Sequence, residues 1–477
     1  MKPALGLTVT GARSPRRSAA LWVALVCALP GCASMQKERG HEDVARIVER
    51  RSGHRTGWEK GAPAPRQIAE RVSQLLVGGL TRERAVSIAL INSPHLQQAY
   101  ADLDISQADL VDAGLLSNPT LAGSVGFHIG GPGHTEYEVS LVQSFLDVFM
   151  LPLKKRVAEQ QFVAATLRVA HSALDLAADV SKELAELEAA QETLQLMQSV
   201  SDGAELAADL AQRQFEAGNV SERKVASELA SFQQAHLDVG QEEIRVVEHR
   251  ERLNRLLGLW GKDSGWALAE RLPVIPEQDV APERLESIAI RQRLDIGAAK
   301  REWALFDNAV SLARSSRYTG LINVGAHMHQ DADGPRLLGP TLALELPIFN
   351  QRQGMIARLE AERQQAARRV EELAVDARSE VRVAAAKLAV SKRAALEYQT
   401  ALLPARTRVL EQTQLEYNGM QLGLYELLAA KKEHTEASRS YLDTVRDYWI
   451  ARAELERALG GNIPKAAFAD PSPQAPR

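Results

Sequence analysis

Residues 153–202 read LKKRVAEQQFVAATLRVAHSALDLAADVSKELAELEAAQETLQLMQSVSD, fifty positions without a proline or a glycine. Val157, Phe162, Val169, Leu176, Val180, Leu184, Leu187, Leu194 and Met197 recur at helical spacings, while Lys154, Glu159, Arg168, Lys182, Glu186 and Glu192 fall off that stripe. This periodicity predicts one amphipathic helix. Continued to Phe215 it holds roughly 65 residues and reaches on the order of 100 Å, against about 10–14 residues for an ordinary globular helix. A compact domain cannot bury such a rod. A second tract, Met355–Leu403, is equally free of proline and glycine. Two rods in one chain predict a long bundle or tube and argue against an enzyme core.

Composition narrows the partners. Of 477 residues, 45% are hydrophobic and 25% charged, the balance of a folded protein. The formal charge of −4, with no clustered lysine and arginine excess, argues against nucleic acid. Aromatics are scarce at 5%, as alanine- and leucine-rich helices packed along their length require.

The N-terminus reads as an address. Arg13, Arg16 and Arg17 precede the apolar run Leu21–Ala28, followed by Leu29-Pro30-Gly31-Cys32-Ala33-Ser34. A basic region, a short apolar region and small residues at the cut describe a secretory signal, too short for a membrane span. Leu29–Cys32 resembles a bacterial lipobox, in which the cysteine becomes the lipidated first residue. Residue 33 is alanine, not aspartate, which by analogy with such lipoproteins implies outer-membrane sorting. The only other cysteine, Cys27, leaves with the signal, so no disulfide or cysteine metal site is expected. From Met35 to Arg66 the chain is polar and rich in glycine and proline. It predicts an extended tether with at most a short helix near Val44–Arg50, organised structure beginning near Leu80.

Beyond the tether the chain repeats a single plan. Ser87-Ile88-Ala89 recurs as Ser287-Ile288-Ala289, Asp147 as Asn350, and Phe215 as Tyr417, with offsets of 200 to 203. The organisation expected is a lipoprotein signal peptide over 1–31, a lipid-anchored tether over 32–79, a first repeat over 80–260, a linker over 261–281, a second repeat over 282–460 and a disordered tail over 461–477. Each repeat predicts helix, strand, strand, long helix, shorter helix: about 81–116, 118–130, 135–146, 152–216 and 221–258, then about 282–315, 317–330, 336–348, 351–416 and 422–459.

The strand pairs bear most on function. Leu121, Gly123, Val125, Phe127 and Ile129 alternate with Ala122, Ser124, Gly126 and His128; Tyr137, Val139, Leu141 and Phe145 alternate with Glu136, Glu138, Ser140 and Ser144. In the second repeat Ile322, Val324, Ala326 and Met328 alternate with Asn323, Gly325, His327 and His329. Leu338, Leu342, Leu344, Leu346 and Ile348 then alternate with Gly339, Thr341, Ala343 and Glu345. Apolar-out, polar-in strands of about ten residues suit a transmembrane β-barrel with a wet lumen, although a soluble half-buried hairpin shows the same alternation. In lipid a sheet must close, because an open edge leaves backbone groups without partners. Single-chain barrels start at about eight strands, so a four-stranded chain must assemble, and three copies make a twelve-stranded barrel. The fold class expected is mainly α with a membrane β-barrel portion.

Signal with lipobox, twofold repeat, strand hairpins opening into very long helices, and hairpins of unequal helices together resemble the TolC-type outer-membrane efflux channels over Leu80–Gly460. Local carriers are Leu346-Pro347-Ile348-Phe349-Asn350 and the turns Phe215-Glu216-Ala217-Gly218 and Tyr417-Asn418-Gly419-Met420-Gln421-Leu422-Gly423. Tyr417–Leu428 also resembles the heavy-metal efflux branch. The resemblance implies a homotrimer lipid-anchored in the outer membrane. Its β-barrel would cross that membrane and an α-barrel of helical hairpins would extend through the periplasm, docking on a periplasmic adaptor and an inner-membrane pump. It implies a passive conduit with no catalytic residue and no cofactor. The competing class is a lipid-anchored periplasmic adaptor without a barrel of its own.

Gate and docking residues are expected at the helix-hairpin tips: Phe215, Gly218, Arg223, Tyr417, Gly419 and Gly423, with glycines allowing positive φ. Glu216, Glu222, Glu416 and Glu426 lie close by and could form acidic rings, with Arg223 pairing one of them, or be solvated helix ends. His327, His329 and His128 share the polar strand faces, but without a carboxylate or thiol nearby they make a poor metal site, so no metal is expected. His134 lies in a glycine-rich loop beside the stretch Gly126–Gly133, which reads as an extracellular turn. No zinc helix, nucleophile elbow or dinucleotide fingerprint occurs.

Overall fold

The computed structural model describes residues 39–57, 64–127, 129, 135–269, 271–278, 280, 284–320, 322–330 and 334–464. Cys32 and the whole signal lie outside the described residues, as do His128, His134 and the end of the tail. The chain forms two compact units that cut across both repeats. One contains Val111–Lys154 and Leu321–Glu345; the other contains Lys37–Leu110, Lys155–Gly320 and Leu346–Arg477.

In chain order the helices are α1 (Arg39–Ser52), α2 (Ala64–Leu76), α3 (Arg82–Asn92), α4 (Pro94–Ala113), α5 (Leu146–Glu216), α6 (Glu222–Leu257), α7 (Leu285–Gln292), α8 (Leu294–Ser315), α9 (Gln353–Glu397), α10 (Leu403–Asn418) and α11 (Leu424–Leu459). A π turn, Tyr398–Leu402, joins α9 to α10. The strands are β1 (Thr120–Gly126), β2 (Glu136–Ser144), β3 (Ile322–Gln330) and β4 (Arg336–Leu344).

The rod read from residues 153–202 is one helix, α5. It buries more than the predicted stripe. Besides Val169, Val180, Leu184 and Leu187, the alanines Ala164, Ala170, Ala173, Ala185 and Ala189 are buried. Alanine adds little to an apolar pattern, yet it lets neighbouring helices come close, so α5 is covered on several sides. Two apolar clusters follow the repeat. Leu90, Leu96, Leu103, Leu253 and Leu257 join α5 in the first; Leu285, Val381, Leu388, Tyr448 and Leu455 lie in the second.

Four expectations need correction. The single helices placed at 81–116 and 282–315 are each two, broken at Ser93 (ψ 122°) and Arg293 (ψ 128°). Pro94 explains the first break, since the residue before proline is pushed into extended conformation; Arg293 makes the same bend without one. Gly258 and Gly460, the left-handed caps of α6 and α11, seat against these two bends. The joint is thus built twice. The second rod is interrupted by the π turn, because Pro404 removes an amide donor and crowds the carbonyl four residues earlier. The stretch expected as an extended tether contains α1 and α2, with Val44 and Val48 fully buried and Val72 nearly so. A narrow apolar edge on a mostly charged helix gave too weak a signal. Finally, the expected disordered tail begins with folded residues: Asn462 N donates to Arg51 O at 2.7 Å, its side chain donates to Ser52 O at 3.1 Å, and Ile463 is buried.

Tyr100 in α4 is buried, and its hydroxyl donates to Thr56 Oγ1 at 2.6 Å. Burial pushes the phenol up to about 12, the Thr56 contact acting the other way. The unfolded chain releases this proton near pH 10, so between about 10 and 12 it binds fewer protons than the folded one. The contribution is intact below pH 10 and is lost as the pH rises. Tyr100→Phe should therefore melt at a temperature less sensitive to pH between 9 and 11 than the parent, as followed by circular dichroism; parallel curves would refute this.

Candidate functional site

The sheet is a four-stranded antiparallel meander in the order β1-β2-β3-β4. Its register decides what each face carries, because residues directly opposite one another share a face. Leu121, Leu141, Ala326 and Pro340 form one row; Gly123, Val139, Met328 and Leu338 the next; Val125, Tyr137, Gln330 and Arg336 the last. Gln143, Val324 and Leu342 continue the same face, as do Ile322 and Leu344. The other face carries Ser124, Glu138, His329 and Leu337 in one row and Ala122, Ser140, His327 and Gly339 in the next. The alternation in each strand thus adds up to one continuous apolar face, polar only towards its ends, and one mostly polar or small face. Leu121, Leu338 and Leu342 are 71%, 78% and 65% exposed, so no described residue covers the apolar side there. Among the described residues β1 and β4 each pair on one side only. An unpaired edge is a template for another strand.

The helix hairpins turn at residues 216–222 and 418–424. In the first, Gly218 has φ 77°, its amide donating to Phe215 O and that of Asn219 to Gln214 O, both at 2.8 Å. The glycine expectation holds there. In the second turn Met420 takes the left-handed conformation at φ 57°, while Gly419 and Gly423 lie at −77° and −79°. A Cβ at Gly423 would stand 2.8 Å from Glu426 Oε2, a contact that the exposed carboxylate relieves by turning away. Glu426 folds back over the start of its own helix, where the helix dipole favours a carboxylate. Glu216 accepts from Gln212 at 2.9 Å, Glu222 occupies the first turn of α6, and Glu416 lies in the last turn of α10. Arg223 pairs with none of these acids. Its Nη1 donates to Tyr425 Oη at 2.9 Å, linking the starts of α6 and α11 across the repeats. Phe215 is exposed and Tyr417 half-buried. Sequence spacing could not find the Arg223–Tyr425 tie, because the two residues are 202 positions apart.

Between these hairpins, buried Glu242 of α6 accepts from Arg439 of α11 at 2.6 Å and from Arg245 at 2.9 Å. Two hydrogen-bonded arginines compensate its burial.

The histidine expectation is corrected in one respect: the register sets Glu138 directly across from His329, so a carboxylate does stand beside the β3 histidines. Among the described residues no group of three or more His, Cys, Asp or Glu side chains is gathered to hold a metal ion. No described helix is long and apolar enough to cross a membrane.

Residues 85–259 match the family model described as outer membrane efflux protein. The cobalt-zinc-cadmium resistance protein CzcC of Cupriavidus metallidurans is 25% identical over 400 residues, covering 80% of this chain and 90% of its own. A membrane protein from Pseudomonas aeruginosa superposes with a TM-score of 0.71 at 20% identity, over 80% of this chain and 90% of that one. The Campylobacter jejuni CmeC outer membrane channel gives 0.69 at 15% identity, over 85% and 89%. The fold is that of solved outer-membrane channels, long helices with one four-stranded sheet. The family model lies over the first repeat and a curated relative spans four fifths of the sequence, so the chain is similar to the outer membrane efflux proteins through both of its repeats.

Proposed function

We propose that this protein is the outer-membrane channel subunit of a tripartite efflux system, a passive conduit from periplasm to exterior. The observation that carries the reading is the uncovered apolar face running across four paired strands, backed by a polar face and bounded by two unpaired edges. In hydrocarbon such edges must pair, and joining β4 of one copy to β1 of the next closes a barrel. Three copies give twelve strands, within the range of pores wide enough for water. The free energy of transport comes from an inner-membrane pump, reached through a periplasmic adaptor that docks on the hairpin tips. Lipidation at Cys32 would anchor the assembly. Similarity to a cobalt-zinc-cadmium resistance protein favours metal cations as cargo.

The gate falls at the hairpin turns, where the Arg223–Tyr425 hydrogen bond holds the two hairpins of a protomer together. The pair is solvent-facing, and its net contribution is about 0.5–1.5 kcal/mol per copy. Purified trimer in planar lipid bilayers should conduct ions in small steps, and Tyr425→Phe should raise the open fraction about two- to tenfold for each protomer whose tie must break. Bilayers without current steps from folded parent trimer would refute the channel; unchanged gating in Tyr425→Phe would refute only the tie.

A further inference from the structure

His327 and His329 stand two residues apart on β3 and so share its polar face, with their Cα atoms roughly 6–7 Å apart. Glu138 on β2 is the direct cross-strand neighbour of His329, and Ser140 that of His327. On the other flank Gly339 of β4 faces His327, and a Cβ there would stand 3.2 Å from the imidazole Cε1. The missing side chain makes room for the ring. Thr341 Oγ1 lies 3.1 Å from His327 Nδ1. In the tautomer that donates Nδ1–H to this hydroxyl, Nε2 keeps its lone pair, which is how an outer hydrogen bond orients a metal-binding imidazole.

We propose that His327 and His329, with the Glu138 carboxylate on the neighbouring strand drawing the ion in, form an open transit site for divalent transition-metal cations on the polar face of the sheet. The proposal rests on that face lining the pore. Two imidazoles and a carboxylate suit borderline ions of the zinc, cobalt and nickel type better than magnesium or calcium, which prefer all-oxygen shells. The incompleteness of the set within one protomer fits the task. Four converging protein ligands would retain the ion as structural sites do, whereas a conduit needs a stop that an ion leaves as readily as it enters. In a trimer the set repeats three times around the bore at one level, raising the local cation concentration without closing a permanent site. Thr341 acts as a positioning residue for His327.

The test uses the full-length protein purified in detergent, with Zn²⁺ alone as the probe. Isothermal titration should show weak binding to the parent. His327→Asn/His329→Asn should weaken it by about tenfold or more, and Glu138→Gln by a smaller factor. Asparagine keeps a polar contact for Thr341; should the double variant not assemble, His329→Asn alone is the second variant and should also bind more weakly. His434→Asn, which alters a histidine on the helical hairpins, serves as the control and should bind as the parent does. Equal Zn²⁺ binding by the parent and by the assembled histidine and Glu138 variants overturns the site. An unheated gel run in parallel separates this from failure of the pore reading, which would appear as a parent protein that forms no trimer at all.

Discussion

Leu141→Arg is expected to remove the trimer from unheated gels, whereas Ser140→Arg, one position away, should leave it in place. Leu141 lies in the row Leu121, Leu141, Ala326, Pro340, in the middle of the apolar face, and it is exposed. If that face meets acyl chains, an arginine near mid-depth costs about 2–4 kcal/mol. Three copies bring this to about 6–12 kcal/mol per assembly, the size of a whole domain's stability. Ser140 points to the other face, across from His327. On a lumenal surface an arginine stays hydrated and changes selectivity more than stability. The pair of variants therefore asks which side of the sheet is dry. Equal tolerance of both would mean that neither face meets lipid, and equal loss that both faces are buried in protein.

Gly258→Ala should destabilise the helical unit by about 2–5 kcal/mol in chemical denaturation, and Gly53→Ala by only about 1 kcal/mol. Both glycines are left-handed, at φ 68° and 77°. A side chain in that conformation carries a strain of about 1–2 kcal/mol. They differ in space. A Cβ at 258 would stand 2.6 Å from Asn92 O and 2.8 Å from Pro94 Cδ, while nothing lies within 4 Å of one at 53. Overpacking adds about 1–3 kcal/mol where the neighbour cannot give, and here the neighbours are the break between α3 and α4. Asn92 Nδ2 further pins the joint by donating to Leu257 O and Gly258 O at 2.8 and 2.9 Å. Similar losses at both sites would mean that the close approach contributes nothing.

Much of the fold was legible because it depends on local period. The rod α5 and the four strands come from spacings within a window of a few turns, and the tandem repeat from short motifs that recur 200 to 203 positions on. The features missed are those set by contact. Arg293 bends like Ser93 without a proline to announce it, and Gly460 is the partner that shows why. In the second hairpin turn a methionine, not a flanking glycine, takes the left-handed position. Polar residues hid all of α1 except the short helix expected near Val44–Arg50, since its buried edge is little more than Val44 and Val48. At the tips the residue types were readable but not their partners, so Arg223 was matched to acids when a tyrosine from the other repeat was within reach. The strand histidines were legible as a shared face. Their carboxylate neighbour was not, because cross-strand register lies beyond any pattern inside one strand.

The bond from Asn462 to the end of α1 couples the first described helix to the residues just past α11. A polypeptide released amino end first forms Arg51 some four hundred residues before the group that satisfies its carbonyl. Until then that carbonyl is left to water, and shortened chains ending before Asn462 would leave it so. Emergence of the second repeat in full is thereby registered at the start of the first.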